Sequence, residues 1–169
     1  VASRIRLIAG RTCSLLVLLL LIGCRDSVPT THVDVAIGDR MYALELAVDD
    51  LSRARGLGGR TSVPDDGGML FVFPEAAERT FWMKDCLTDI DIMFLGPTGR
   101  VLSTYTMTTE PPRRSDESEA AYERRLTPYT SQGDAQYAIE LRPGAITDLG
   151  IQVGDRINLD SNALKALLR

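Results

Sequence analysis

Histidine occurs once in this chain of 169 residues, at His32, ahead of the first patterned segment. The folding region therefore holds no serine–histidine–aspartate triad, no cysteine–histidine pair and no histidine-rich zinc site. Cysteine is nearly as scarce: of Cys13, Cys24 and Cys86, only Cys86 falls in the region expected to fold, so no internal disulfide can form there. With apolar Leu87 beside it, Cys86 reads as a small buried hydrophobe, a reactive thiol being the alternative. A basic stripe is missing too. The chain carries 19 basic and 23 acidic residues, and removing the three arginines of its first 23 positions leaves 16 against 23. That acidic balance argues against nucleic acid or anionic lipid as the recognised partner. No residue pattern calls for a cofactor.

Long apolar runs are also absent. The longest, residues 15–22, falls well short of the ~20 residues a spanning helix needs. Its flanks give it another meaning. Arg4, Arg6 and Arg11 precede it, and Leu21-Ile22-Gly23-Cys24 closes it, the arrangement of an export signal cut ahead of a lipid-modified thiol. We expect residues 1–23 to be a lipoprotein signal peptide and Cys24 to become an acylated N-terminus. The mature protein would then be extracytoplasmic, anchored to a bacterial cell membrane or outer membrane. Residues 24–32 are polar, include Pro29 and lack an apolar period, and are expected to be a tether.

From Val33 the patterning changes. Val33, Val35 and Ile37 alternate, Gly38-Asp39 offers a two-residue turn, and Tyr42, Leu44, Leu46 and Val48 alternate again, which predicts a β-hairpin. Asp49 and Asp50 offer a helix N-cap, with Leu51, Ala54 and Leu57 at helical spacing and Gly56, Gly58 and Gly59 limiting the helix to about two turns. Strands are predicted at 69–73, at 80–84, with Phe81 and Met83 facing opposite to Trp82 and Lys84, at 89–94 and at 101–107, in the order of a β-meander. Residues 110–127 are charged enough to read as an exposed loop with a helix over 118–126. A strand through Tyr137, Ile139 and Leu141, a short helix over 145–149 and a closing strand over 156–159 follow. The expected fold is mainly β: a small antiparallel β-sandwich or partly open barrel of about seven strands with one or two short helices. It forms one domain over 33–160, with 161–169 a C-terminal tail.

Several polar residues are candidates for chemistry. Strand alternation sets Lys84 opposite Phe81 and Met83, and Asp91 opposite Ile90 and Ile92, so the two can share a surface as an ion pair or as ligand contacts. Asp85, Asp89 and Asp91 offer oxygens, yet their spacing lacks the glycine and terminal glutamate of a calcium loop, so no metal is assigned. Trp82, the only tryptophan, is either a core filler or a stacking platform. Arg55 can hold an anion bidentately or pair with Asp65, Asp66 or Asp91.

Arg53-Ala54-Arg55-Gly56-Leu57, the run Gly68-Met69-Leu70-Phe71-Val72-Phe73-Pro74, the block Phe81-Trp82-Met83-Lys84-Asp85 and the apolar stretch to Leu95 occur in that order. With Tyr129, Ser131, the strand ending at Leu141 and Leu149-Gly150-Ile151-Gln152-Val153-Gly154-Asp155-Arg156, the chain resembles domain-of-unknown-function family 192, also called uncharacterised protein family 127. It departs from that pattern at Gly58, Asp85, Cys86 and Asp89, where the family usually has methionine, asparagine, threonine and proline. The resemblance implies a mainly β domain, often exported, and no particular reaction.

Two functions follow as expectations. One is a lipid-anchored binding or accessory module whose surface at Arg55, Trp82, Lys84, Asp85 and Asp91 holds an envelope component or another protein. The other is a hydrolase of envelope polymer using Asp91 and a second carboxylate such as Glu110, with Lys84 or Arg55 stabilising charge.

Overall fold

The computed structural model describes residues 32–168. The basic start, the apolar run, Cys24 and the tether up to Thr31 lie outside the described residues.

Strands β1 (His32–Ile37) and β2 (Arg40–Ala47) form the expected hairpin. Gly38 takes φ 61 at the first position of the two-residue turn, where a residue with a Cβ is disfavoured. Helix α1 (Asp50–Arg55) starts at a capping box, in which Asp49 accepts from the Ser52 N–H at 2.8 Å and the Ser52 hydroxyl accepts from the Asp49 N–H. Gly56 ends it at φ 51. Leu51 and Ala54, at helical spacing with the buried Leu57, are exposed: α1 buries no residue and instead overhangs a pocket.

The remaining elements are β3 (Gly67–Ala77), β4 (Thr80–Phe81), β5 (Ile90–Leu95), β6 (Val101–Met107), α2 (Glu119–Arg125), β7 (Tyr129–Thr130), β8 (Ala135–Leu141), α3 (Ala145–Asp148) and α4 (Ser161–Ala166). The fold is mainly β, and among the described residues no closed barrel forms. Six strands make one sheet in the order β1-β2-β3-β8-β5-β6, and β4 pairs with β7 in a two-stranded ribbon. The sheet is mixed, because β2 and β3 run parallel, with α1 in the crossover between them. It is not a meander either: β8 returns from late in the chain to lie between β3 and β5, antiparallel to both. Two expected strands are shorter than their patterns. The one over 80–84 stops at Phe81, and the one over 156–159 is reduced to a single bridge between Arg156 and Arg100.

Burial on both faces explains the continuous apolar runs at the centre of the sheet. Every residue of β5 and β8 is buried, as are the first seven of β3. One face packs Tyr42, Leu44, Leu70, Val72, Met93, Tyr137, Ile139 and Leu141 under α3 and α4. The other packs Met69, Phe71, Ile90, Ile92, Phe94 and Ala138 against Leu57, Met83 and the β4–β7 ribbon. Phe81 of the ribbon meets Phe71 and Phe94 edge-on, with ring centroids 4.9 and 5.3 Å apart. The charged segment before β7 is not a free loop. Tyr122 and Leu126 of its helix are buried, the Tyr122 hydroxyl accepts from the Asp85 N–H, and Arg125 ties Glu117 to the carbonyls of Pro111 and Pro112.

Candidate functional site

Local sequence builds a pocket on the face of the sheet opposite α3 and α4. Directly paired residues point to the same side of a sheet, so the register of Glu140 with Met69 and Ile92 sets its side chain on the ribbon face. Glycines open the space above it. A Cβ at Gly56 would touch the Glu140 carboxylate and the tip of Phe71, and Gly68 lets β3 approach so closely that any Cβ there would run into the Glu140 carbonyl. Under α1 this leaves a pocket of about 450 Å³, within the ~300–1,000 Å³ usual for small-molecule sites.

Its floor is the Glu140 carboxyl group. The residue is 5% exposed and its Oε2 accepts one long bond, from the Leu57 N–H at 3.3 Å. Its other oxygen accepts none among the described residues. Burial raises its pKa to about 7, opposed by the Leu57 bond and by the more distant Arg60, whose own guanidinium is clamped on Glu45 at 2.5 and 2.7 Å. Near neutral pH this carboxyl can therefore either give or take a proton in a hydrogen bond.

The walls are aromatic, from Phe71, Phe73, Phe81 and Trp82, and Cys86 lines the same space. Burial and the charges of Glu140 and Asp85 push the Cys86 thiol up to about 11, so it is an inert thiol at neutral pH. The mouth is cationic. Arg79 lies 4.2 Å over the Phe73 ring and Arg53 5.8 Å over the same ring. Arg53 donates to the Val72 carbonyl at 3.0 Å and pairs with Asp50 at 2.6 Å, while Arg79 donates to the Glu75 carbonyl at 2.6 Å and keeps a buried Nε without an acceptor. Burial first, and Arg53 beside it, depress the pKa of Arg79. Arg55 is exposed and makes no hydrogen bond or ion pair among the described residues.

Of the residues singled out from sequence, the structure brings Arg55, Trp82 and Lys84 to this pocket and leaves Asp85 and Asp91 out of its lining. Trp82 is 50% exposed at the rim and is not a core filler. Lys84 does not meet Asp91. Its ammonium is held by Glu119 and by Glu123 at 2.7 Å, which raise its pKa. Asp85 turns the chain at φ 55, its carbonyl accepting from the Gly59 N–H. Asp91 is 1% exposed on the opposite face of the sheet, opposite Leu141, where one oxygen accepts from the Thr106 hydroxyl at 2.8 Å and the other from the Ile146 N–H at 2.9 Å. It secures α3 to the sheet. Glu110 accepts from the Thr127 N–H and Asp89 from the Thr109 N–H, each at 2.7 Å. The expected pairing of Asp91 with a second carboxylate across a sugar thus has no open cleft around Asp91. No group of three histidine, cysteine or acidic residues that could hold a metal occurs among the described residues.

Glu140, Arg53, Arg79 and Phe73 were missed from sequence. The available signal was a lone acid in the otherwise apolar run Ala138-Ile139-Glu140-Leu141, on the face opposite the one read as core.

Pocket and fold together define a small β domain with a preformed, polar-floored pocket. Residues 33–159 match the model of the family described as DUF192, uncharacterized ACR, and the chain belongs to that family. No curated protein matches it. Among solved structures it is similar to a protein of Sinorhizobium meliloti 1021 whose description proposes a transcription regulator, at 28% identity and TM-score 0.60 over 75% of this chain and 91% of that one. It is also similar to a protein of unknown function from Novosphingobium aromaticivorans DSM 12444, at 26% identity and TM-score 0.60 over 77% and 85% of the two chains.

Proposed function

We propose that this protein is a binding or accessory module of the bacterial cell envelope, held at a membrane by lipid on Cys24, whose ligand sits in the pocket under α1. The observation that carries this reading is Glu140. A carboxyl group buried with an unused oxygen, facing an open space walled by aromatic rings and rimmed by arginines, is unfavourable for folding and is what a ligand site requires. Half-exposed Trp82 at the rim suits a sugar ring or a partner side chain. The acidic whole-chain charge of −4 speaks against the regulator role proposed for the Sinorhizobium relative in any form that needs a basic DNA-binding face.

Thermal unfolding of the purified protein with muropeptides and oligosaccharides tests the pocket. A ligand at about 100 times its Kd adds ~2.7 kcal/mol and raises the midpoint by several degrees. That rise should vanish in a variant with Trp82 and Arg79 both replaced by alanine; a rise that survives places the ligand elsewhere. The anchor is tested by metabolic labelling with palmitate, which should mark the wild type and not Cys24→Ser. Label retained by the variant refutes the lipoprotein reading.

A further inference from the structure

Resting on that reading of the pocket, the opposed chemistry of its two ends narrows the class of ligand. Glu140 stands at the level of Met69 in the β3–β8 register, whereas Arg53 and Arg79 meet over Phe73, four residues further along β3, or about 13 Å of extended strand. At the first end is a carboxyl oxygen with no hydrogen-bond partner among the described residues. At the other, two guanidiniums share one ring: Arg53 is paired with Asp50, whereas among the described residues Arg79 has no ion pair and a buried Nε without an acceptor, and Arg55 stands nearby without an ion pair. Asp50 offsets Arg53 alone, so an anion beside Arg79 and Arg53 is stabilised by the guanidinium that has no acid of its own. Aromatic faces lie between the two ends. Lys84 is already neutralised by Glu119 and Glu123 and adds nothing to the demand.

We propose that the pocket takes a six-membered-ring carboxylate lengthwise, its carboxylate between Arg79 and Arg53 and a hydroxyl on the far edge of the ring hydrogen-bonded to Glu140. A single ring with a hydrogen bond at either end fills that span. Both a sugar acid and an aromatic hydroxy acid carry this chemistry, the first stacking its C–H face and the second its π face on the walls.

Trp82, the only tryptophan in the chain, stands at the rim and reports occupancy through its fluorescence. The full chain is titrated with glucuronate and with 4-hydroxybenzoate, each beside its neutral counterpart, glucose or phenol, and with benzoate, which lacks the hydroxyl. At least one hydroxylated carboxylate should shift the Trp82 emission and bind tenfold or more tighter than its neutral counterpart; whichever ring is preferred identifies the source. Arg79→Gln should lower that affinity at least tenfold, with Arg79→Lys intermediate. Glu140→Met should bring 4-hydroxybenzoate or glucuronate down about tenfold while leaving benzoate unchanged, and circular dichroism verifies that each variant folds. If phenol or glucose binds as well as its acid, the pocket remains a ligand site and the anion is wrong. If none of the five shifts Trp82, the ring-acid class is overturned, and the unfolding panel of envelope fragments decides separately whether the pocket binds anything.

Discussion

Replacing Glu140 by glutamine should make the protein more stable at alkaline pH and change it little in mild acid. Burial raises this carboxyl from 4.5 to about 7 in the folded chain, and in the unfolded chain it returns to the lower value. At about 1.4 kcal/mol per pH unit, the difference amounts to roughly 3 kcal/mol. The direction follows from proton binding. Below about pH 4.5 both states hold the proton and the folded state has its full stability. As pH rises toward 7 the unfolded state releases its proton while the folded state retains it, and the protein loses stability until the folded group ionises as well. Glutamine has the same shape, can accept from the Leu57 N–H and never ionises. Urea unfolding of both proteins from pH 4.5 to 8.5 should therefore show curves that meet at the acid end and separate by about 3 kcal/mol above pH 7, the variant being the more stable. For a domain of this size that corresponds to a midpoint difference of about 10 °C. Other titrating groups are common to both proteins and cancel in the difference. Parallel curves across the whole range would refute the reasoning, because they would mean that Glu140 ionises in the folded state as readily as in water.

Three further outcomes follow from the same geometry. Asp91→Asn removes the carboxylate that accepts from the Ile146 N–H in a buried site, and should destabilise the protein by about 1–3 kcal/mol in urea unfolding without altering any affinity measured through Trp82, since Asp91 lies on the other face of the sheet. Gly68→Ala drives a methyl group against the Glu140 carbonyl and to 2.9 Å from Leu141 Cδ2, and should cost about 3 kcal/mol or more, read as a fall in the urea midpoint or in soluble yield. Cys86, with its thiol raised to about 11, should react slowly with iodoacetamide at pH 8 and about tenfold faster for each pH unit up to 11; a rate already at its plateau by pH 8 would contradict this.

What was legible in the sequence was local. The Gly38-Asp39 turn, the Asp49 cap, the Gly56 stop and the α2 helix each depend on residues within a few positions of one another, and each occurs as expected. Strand order depends on contacts between distant segments. Nothing near Tyr137 or Ile139 says that β8 will pair with β3 on one side and β5 on the other, and a meander reads equally well until that insertion is seen. The parallel step from β2 to β3 is similarly hidden, because α1 offers no buried face to mark it as a packed crossover.

The candidate site was half legible for the same reason. Arg55, Trp82 and Lys84 lie in segments adjoining the pocket and line it, although for Trp82 the sequence left a core filler open as well. Lys84 was given the wrong partner because its two acids come from residues 119 and 123, in a segment whose charge made it look detached from the domain. Glu140 was lost to an assumption about alternation. Tyr137, Ile139 and Leu141 define one face of β8, and an acid on the alternate face of a strand normally marks solvent. Here Leu57, Met83 and the β4–β7 ribbon pack on that face and leave a pocket over Glu140, so the acid is enclosed with a single long hydrogen bond among the described residues. An acid in the middle of a strand flanked by apolar residues on both parities is the better signal: it lies at an open edge, in a hydrogen-bonded buried site or in a pocket. In a strand with neighbours on both sides it is buried, either satisfied by hydrogen bonds, as Asp91 is in β5, or facing a pocket, as Glu140 does in β8.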